Sequence, residues 1–429
     1  MLLTDNINMD KPRYIDKQIE KALKTAGCVL VTGPKFCGKT TSCMRFQNSF
    51  VRLNTKKSIE IAKLDPRQML IGDVPRLIDE WQTVPDIWNY IKEDLDEEYV
   101  FGKYILTGSS TPVDKSEITH SGAGRMSIIE MRPMSLYESG ESDGTVSLSD
   151  LFEGGKSFIN NIDNDITLEK IAFLLCRGGW PISVLADQDI ALDITKNYYN
   201  GLFYFENSDN ERFRNKSPEV LRMIIRSYAR NISSEASTQT IIKDVRQSNE
   251  RTMDEKTYSS YMEALKDLFI VKDIEAWRPS IRSKTTIRTT PTRHFVDPSI
   301  ATSALNIGPK DLINDLESFG LFFEDFAVRD LSIYAQYLNG EVRHYRDNAG
   351  LECDAVIHLD NGNWGAIEIK LGGDDLIEEG AKSLKLLKNK ICAKSNEQEP
   401  AFLMVLTAKG PSYKRDDGVY VVPINKLKA

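Results

Sequence analysis

The stretch GPKFCGKT, from Gly33 to Thr40, decides how the first part of this chain folds. It follows a short apolar run, Cys28 to Val31, and precedes a segment with helical character, Thr41 to Gln47. The pattern G-x-x-x-x-G-K-[ST] between a strand and a helix is typical of a loop that surrounds nucleotide phosphates. Its glycines let successive backbone N–H groups turn toward phosphate oxygens, and the helix that follows adds the positive end of its dipole.

Two side chains of this loop carry the expected chemistry. Lys39 is expected to reach the β and γ phosphates of ATP, and the Thr40 hydroxyl is expected to bind Mg²⁺. The alternative is a glycine-rich turn that fits the pattern by chance, and the strand and helix around it favour the nucleotide site. The predicted ATP-binding residues are Gly33, Pro34, Lys35, Phe36, Cys37, Gly38, Lys39, Thr40 and Thr41.

Composition indicates a globular protein of several domains. A length of 429 residues predicts about two to four domains, and 41% hydrophobic with 28% charged residues is ordinary globular composition. The net charge of -8 argues against a surface that is basic throughout, although it leaves room for a local basic patch. The 6 cysteines form no C-x-x-C pair, which predicts free thiols in a reducing cytoplasm. No apolar run approaches the roughly 20 residues of a membrane span, and the amino terminus predicts no signal peptide.

The stretch PRLIDEWQ, Pro75 to Gln82, is the next with a chemical signal. A strand that ends at Asp79 places this carboxylate beside the phosphate loop, where it is expected to hold Mg²⁺. Glu80 is then positioned as the general base that polarises the attacking water. A solvated acidic turn is the alternative, and the phosphate loop upstream favours the functional interpretation.

Two further segments offer candidates for the same site. The strand Tyr104–Leu106 ends in TGSS, so that Ser109 or Ser110 either senses the γ phosphate or simply terminates the strand. Arg125 lies in a glycine loop before the next predicted strand, Met126 to Met131. It is a candidate arginine finger toward the nucleotide of a neighbouring subunit in a homo-oligomer, or a solvated loop arginine.

The order of GPKFCGKTT, LIDEWQ, YILTGSS, AGRM and RPMSLYE resembles a family of prokaryotic AAA-type ATPases that is defined by a carboxy-terminal domain of unknown function. The resemblance covers nearly the whole chain. It implies Walker B, catalytic base, sensor and finger roles for Asp79, Glu80, Ser109 and Arg125. Lys35 stands where the family often has arginine, which keeps the charge.

The middle of the chain is predicted to be helical. Helical periodicity over Thr238–Arg246 and Asp254–Leu268, followed by an apolar stretch Phe269–Trp277, outlines a winged helix. Such a module binds DNA or serves as a packing unit. The following segment contains Arg278, Arg282, Lys284, Arg288 and Arg293 without an acidic residue, and it is either a contact for the DNA backbone or an exposed wing.

The carboxy-terminal part combines a long helix, Asp315 to Tyr337, with two adjacent strands, Glu352–Leu359 and Trp364–Leu371. The helix pattern places Leu321, Phe322, Phe326, Val328 and Leu331 largely inward. Asn361-Gly362 between the strands predicts a hairpin.

This hairpin is expected to bring Asp354 to the sheet face that carries Glu368 and Lys370. Two carboxylates with a lysine suit Mg²⁺-dependent phosphodiester hydrolysis, in which Asp354, Glu368 and Glu324 bind metal and Lys370 orients the water. The arrangement resembles the PD-(D/E)xK restriction-nuclease fold, with Cys353 in place of the proline. Because folds outlive their activities, an active nuclease and an inactive relative both stay open.

The predicted fold class is therefore α/β, with a P-loop domain of AAA type at residues 1–140. A helical and winged-helix region at 141–290 and a nuclease-like α/β domain at 291–429 follow. The predicted function is ATP hydrolysis coupled to binding or cutting DNA. The alternative is a nucleotide-controlled switch whose last domain binds only a partner.

Overall fold

Five parallel strands form the first sheet in the computed structural model, which describes residues 11–109, 123–161, 166–203, 216–248, 253–279, 290–393 and 398–429. The strands are β1 (Cys28–Thr32), β2 (Ser49–Arg52), β3 (Arg76–Asp79), β4 (Tyr104–Gly108) and β5 (Met126–Glu130). They lie in the order β2-β3-β4-β1-β5, and every neighbouring pair is parallel. This order brings the carboxyl ends of β1, β3 and β4 together at one edge, where open parallel sheets bind ligands.

Helices cover both faces of this sheet, which explains why β1 is apolar and buried along its whole length. Ile15 and Ile19 cover one face, and Ile87 and Ile91 lie in the apolar cluster on the other. The helices of this part are α1 (Tyr14–Leu23), α2 (Lys39–Cys43), α3 (Lys56–Leu64) and α4 (Ile87–Glu97).

The middle of the chain is helical, as predicted. Its elements are α5 (Leu136–Ser139), β6 (Val146–Ser147), α6 (Leu148–Phe152), α7 (Leu168–Arg177), α8 (Pro181–Leu185), α9 (Gln188–Gly201), α10 (Pro218–Arg230), α11 (Thr238–Ser248), α12 (Glu255–Asp267), α13 (Ser299–Leu305) and α14 (Pro309–Asn314).

The helix pair predicted for a winged helix is present as α11 and α12, but the strand predicted after it is not continuous. Instead, isolated antiparallel bridges join Val271 to Phe295 and Ile274 to Thr292. Phe269 has a φ of 56°, and this left-handed conformation interrupts extended backbone where the strand was expected to begin. Arg282, Lys284 and Arg288 of the basic segment lie outside the described residues, as does Ser110.

A six-stranded sheet organises the carboxy-terminal part. Its helices and strands are α15 (Leu316–Tyr337), β7 (Gly340–Arg346), β8 (Glu352–Leu359), β9 (Trp364–Lys370), α16 (Asp374–Cys392), β10 (Phe402–Thr407), β11 (Tyr413–Lys414) and β12 (Tyr420–Pro423), with β13 (Leu427–Lys428) after them. The order is β11-β12-β10-β9-β8-β7, in which β7, β8 and β9 are antiparallel neighbours and β9, β10 and β12 are parallel. The predicted hairpin between β8 and β9 is thereby confirmed.

The long helix α15 buries most of the residues that were predicted to face inward. The prediction for Leu321 was wrong, because its side chain is 41% exposed. The buried stripe runs through Phe319, Phe322, Phe323 and Phe326, which follow helical spacing and leave Leu321 on the outer side.

The chain end packs back on the segment that follows the first sheet, since Leu427 in β13 pairs in parallel with Val146 in β6.

All 6 cysteines are free thiols, as predicted. Among the described residues, no helix combines the length and the apolar character that crossing a membrane requires.

Candidate functional site

The loop between β1 and α2 has the backbone geometry that its glycines permit. Gly33 has a φ of 145° and Gly38 a φ of 104°. A Cβ on Gly33 would lie 2.1 Å from the carbonyl oxygen of Met131, so this position excludes any side chain. The Lys39 side chain folds back toward the start of the loop, and its ammonium donates to the carbonyl oxygens of Gly33, at 2.9 Å, and Pro34, at 2.7 Å.

A cavity of about 530 Å³ opens over this loop. Of the predicted ATP-binding residues, Lys35, Phe36, Gly38, Lys39, Thr40, Thr41 and Ser109 line it. Gly33 and Pro34 instead position Lys39, and Cys37 is fully buried beneath the loop. On the far side, Pro181, Ile182 and Leu185 of α8 close the cavity as an apolar wall.

Asp79 lies at the centre of a polar network on the floor of this cavity. Its Oδ1 accepts hydrogen bonds from the hydroxyls of Thr40, at 2.9 Å, and Thr107. Its Oδ2 accepts one from Nε of Arg52 at 2.7 Å. Thr40 and Asp79 thus offer adjacent oxygen atoms, the ligand type that Mg²⁺ requires.

Glu80 follows at the end of β3 in a left-handed conformation, with a φ of 60°. Its carboxylate accepts hydrogen bonds from the Gln82 amide and, at a long 3.4 Å, from the Ser109 hydroxyl. The turn therefore directs Glu80 into the cavity beside Asp79, and it brings the predicted sensor Ser109 to the predicted base.

Arg125 lies at the opposite edge of the sheet. Its neighbour Met126 pairs with Cys28 at the beginning of β1, whereas the phosphate loop follows the end of that strand. The guanidinium forms an ion pair with Asp96 on α4. Arg125 is not among the described residues that line the cavity. It therefore stays a candidate arginine finger only toward the nucleotide of a neighbouring subunit.

Arg13 is a site residue that the sequence did not single out. Its buried guanidinium donates to the carbonyl oxygen of Cys37, at 2.9 Å, and to that of Arg132, at 2.8 Å. It also forms an ion pair with Glu138 at 3.0 Å. Arg13 thereby ties the phosphate loop to the segment after β5, over sequence distances that no local pattern reveals.

A buried ion-pair chain connects the wall of the cavity to α15. The Gly179 N–H, just before α8, donates to Asp297 at 2.9 Å. Arg329 of α15 bridges Asp297, at 2.9 Å, and Asp330, at 2.7 Å. Asp330 in turn accepts a hydrogen bond from the backbone of Leu136. These contacts therefore join the cavity wall to the carboxy-terminal part.

The second predicted cluster also comes together. The Lys370 ammonium lies 2.9 Å from Glu368 and 3.5 Å from Asp354. Asp354 further accepts a hydrogen bond from the backbone N–H of Ile369 at 2.7 Å, and Glu368 accepts one from Ser383 at 3.2 Å. The hairpin thus places these three side chains on one face of the sheet, as predicted.

The charges in this cluster perturb one another strongly. Burial, with the charge of Asp354, raises the pKa of Glu368 to about 8. The same two causes raise the pKa of Glu324 well above its usual value, which places the α15 carboxyl within electrostatic reach. Burial alone would lower the pKa of Lys370, but Asp354 and Glu368 outweigh it and raise that pKa.

The metal-binding predictions differ in how well the structure fits them. Throughout the part of the chain that the structure describes, no group of three or more His, Cys, Asp or Glu side chains is arranged to hold a metal ion. A site at Thr40 and Asp79 does not need such a group of three side chains, because Mg²⁺ is usually held by one or two protein ligands together with phosphates. At Glu324, Asp354 and Glu368, the Lys370 ammonium bridges two of the carboxylates instead.

Three family models match separate segments of the chain. Residues 25–140 match the family described as AAA domain. Residues 168–311 and 319–427 match two families described as domains of unknown function, DUF8612 and DUF4143.

Curated relatives are distant and uncharacterized. Uncharacterized proteins of Mycobacterium bovis and Mycobacterium tuberculosis are each 25% identical over 129 residues, which cover 29% of this chain and 29% of each relative. An uncharacterized protein of Methanocaldococcus jannaschii is 26% identical over 292 residues, which cover 63% of this chain and 62% of that protein. The chain thus spans less than a third of the mycobacterial relatives that it matches.

Similar solved structures include the Walker-type ATPase of Pyrococcus abyssi, with a TM-score of 0.40 and 14% identity over 68% of this chain and 94% of that one. Another is the signal transduction ATPase with numerous domains that carries a tetratricopeptide repeat sensor, from Pyrococcus horikoshii, with a TM-score of 0.23 and 13% identity over 77% and 54%. The AAA domain match, with the parallel sheet and the phosphate loop that it contains, supports an AAA-type ATPase domain that binds ATP at residues 25–140.

Proposed function

We propose that the chain hydrolyses ATP in the cavity above the phosphate loop, with Mg²⁺ held at Thr40 and Asp79. One observation carries this proposal: Lys39 and Thr40 begin α2, Asp79 and Glu80 lie at the end of β3, and all four line one cavity of about 530 Å³. When bound, Mg²⁺ neutralises charge on the β and γ phosphates.

The residues of the chain have distinct roles in this reaction. Glu80 accepts a proton from water as the water oxygen forms a bond to the γ phosphorus. The bond from that phosphorus to the β–γ bridging oxygen breaks, and its electron pair leaves with ADP. Lys39, released from the loop carbonyls that it now contacts, pairs with the phosphate charge.

Phosphate release from ATP by the purified chain tests this function. The wild type is expected to turn over, and Glu80→Gln is expected to bind ATP but to lose at least about 100-fold in kcat, in the range that general bases contribute. Glu97→Gln, an exposed carboxylate on α4, is the matched control and should retain wild-type kcat. Full turnover by Glu80→Gln would move the base to another residue.

We propose as a second candidate that the carboxy-terminal domain is PD-(D/E)xK-like and acts on DNA. The convergence of Asp354, Glu368 and Lys370 on one face of a mixed sheet favours it, as does the helix pair α11 and α12 with its antiparallel bridges. The carboxylate oxygens suit Mg²⁺, but Lys370 bridges two of them here, so we derive no cleavage step through a metal.

Incubation of the chain with single- and double-stranded DNA, with Mg²⁺ or Mn²⁺ and with or without ATP, tests this second function. Cleavage that is lost in Lys370→Ala but kept in Lys385→Ala, a lysine on α16 that pairs with Asp417, would support a nuclease. If the wild type cuts under none of these conditions, a nucleotide-controlled switch whose last domain binds a partner is favoured.

A further inference from the structure

Arg52 is the charged residue nearest to the predicted metal site that the roles above leave unassigned. It ends β2, and it lies directly opposite Asp79 in the parallel register of β2 and β3. Because both strands end at the ligand-binding edge, Arg52 enters the cavity beside Lys39 and Glu80.

The contact between Arg52 and Asp79 uses only part of the arginine. Nε donates to Oδ2 of Asp79 at 2.7 Å, while Oδ1 of Asp79 faces Thr40. An arginine has further N–H donors on its two terminal nitrogens, in a planar fork that matches phosphate. The guanidinium also lies 5.2 Å above the Phe50 ring, which holds the side chain in place.

Exposure separates Arg52 from the other arginines that line the cavity. Its side chain is 44% exposed, against 6% for Arg13 and 24% for Arg45. Arg13 is buried in bonds to Glu138 and two carbonyl oxygens. Arg45 pairs with Asp16, which is not among the residues proposed to bind ATP or Mg²⁺. Arg52 alone of these three pairs with an acid that is itself expected to take Mg²⁺.

We propose that Arg52 is a catalytic residue that contacts the γ phosphate of ATP within the same chain. Mg²⁺ held at Asp79 would give this carboxylate a second cationic partner, and the Arg52 fork, which already lines the cavity, would then be available to the phosphate oxygens. There it would stabilise the charge that develops as the γ-phosphoryl group transfers from ADP to water, in the bond changes given above. This inference rests on the proposed ATP hydrolysis. Arg52 would supply a cation to the γ phosphate from within the same chain, which Arg125 does not, because Arg125 lies at the opposite edge of the sheet.

The alternative is that Arg52 only neutralises the buried Asp79. The two roles differ in what Arg52→Lys does, because lysine supplies a point charge without the planar fork. A neutralising role predicts that Arg52→Lys restores both stability and turnover. A catalytic role predicts that Arg52→Lys keeps the Tm and the ATP affinity of the wild type but has a low kcat.

Steady-state ATPase kinetics and fluorescent-ATP binding of wild type, Arg52→Ala, Arg52→Lys and the control Arg67→Lys test the proposal. Arg67 is exposed and pairs with Glu93. We expect both Arg52 variants to lose about 100-fold or more in kcat, the scale of a lost transition-state donor, with ATP affinity within about threefold of wild type. Arg67→Lys should match wild type.

Wild-type turnover with kcat of Arg52→Lys within about twofold of wild type would overturn the role of Arg52 and leave the ATPase intact. This variant keeps the charge beside Asp79, so it answers the question even if Arg52→Ala fails to fold. Absence of any turnover in the wild type would overturn the proposed ATPase itself.

Discussion

The Thr40 hydroxyl donates a 2.9 Å hydrogen bond to Asp79, a residue 39 positions further along the chain. The parallel register makes this contact possible, since Asp79 ends β3 and the phosphate loop follows the end of β1, with only β4 between them. The contact defines the place in the cavity where two oxygen ligands are offered to a cation.

Replacing Thr40 by valine removes this oxygen while keeping the shape of the side chain. We expect the tightening of ATP binding by Mg²⁺ to fall at least about tenfold, because a hydrogen-bonding or ligating group to a charge contributes about 1.5–3 kcal/mol. Fluorescent-ATP titrations with Mg²⁺ and with EDTA measure this difference. Thr40→Ser should retain it, and so should Thr25→Val at an exposed position; an unchanged Mg²⁺ effect in Thr40→Val would place the metal elsewhere.

Arg329 is 1% exposed and joins Asp297 to Asp330. Arg329→Met fills similar volume but leaves two buried carboxylates unpaired, so we expect a loss of about 3–5 kcal/mol in unfolding free energy. Urea denaturation followed by fluorescence measures it. Arg343→Met breaks an exposed pair with Glu341 and should cost less than about 1 kcal/mol. Equal stability of both variants would mean that this ion-pair chain does not hold the two parts together.

Gly179 and Gly320 are predicted to respond to alanine with opposite signs. A Cβ on Gly179 would lie 2.1 Å from the carbonyl oxygen of Met134, whereas one on Gly320 in α15 meets no atom within 4 Å. Gly179→Ala should lower the unfolding free energy by about 1–3 kcal/mol through strain. Gly320→Ala should raise it by about 0.5–1 kcal/mol, because it adds helix propensity. A stable Gly179→Ala protein with normal ATP binding would contradict the tight approach of this turn to the cavity wall.

Glu368 should make stability depend on pH. Its pKa is raised from 4.5 to about 8, chiefly by burial and then by the charge of Asp354. Between these two pH values the folded chain binds more protons than the unfolded chain. The contribution of Glu368 to the free energy of unfolding is therefore fully present below pH 4.5 and is lost as the pH rises toward 8.

Glu368→Gln removes this titration and keeps the shape. Between about pH 5.5 and 7.5, the wild type should lose about 1–3 kcal/mol of unfolding free energy relative to the variant. Denaturation at the two pH values measures the difference. Glu378→Gln, at an exposed glutamate on α16, is the control and should track the wild type. Parallel pH profiles of wild type and Glu368→Gln would show that Glu368 does not carry a raised pKa.

The elements of the first sheet follow from local signals, whereas part of the candidate site does not. β3 forms over Arg76–Asp79 and ends at the predicted acid, although Arg76 interrupts the apolar run, because the remaining residues Leu77 and Ile78 fill the core between the helical layers. The hairpin that joins the strands of Asp354 and Glu368 also follows from local signals: apolar and polar residues alternate along the strands, and Asn361-Gly362 forms the turn.

Arg13 and Arg52 were not predicted, because their roles depend on contacts between elements far apart in sequence. For Arg52 a signal was available: it ends the strand before the one that carries Asp79, and parallel strands that are neighbours end at the same edge. For Arg13 no such rule applies, since its partners Cys37, Arg132 and Glu138 meet only once α1 has packed on the sheet.

Equilibrium binding of ATP to the wild type and to Lys39→Ala tests the central claim most directly. The wild type should bind fluorescent ATP saturably in the presence of Mg²⁺, and unlabelled ATP should compete. Lys39→Ala should lose binding by at least about 100-fold, because the charge that pairs with the phosphates is gone, while Lys24→Ala, at an exposed lysine directly after α1 that pairs with Glu20, should bind normally. Equal ATP affinity of Lys39→Ala and wild type would contradict a phosphate-binding loop at residues 33–40.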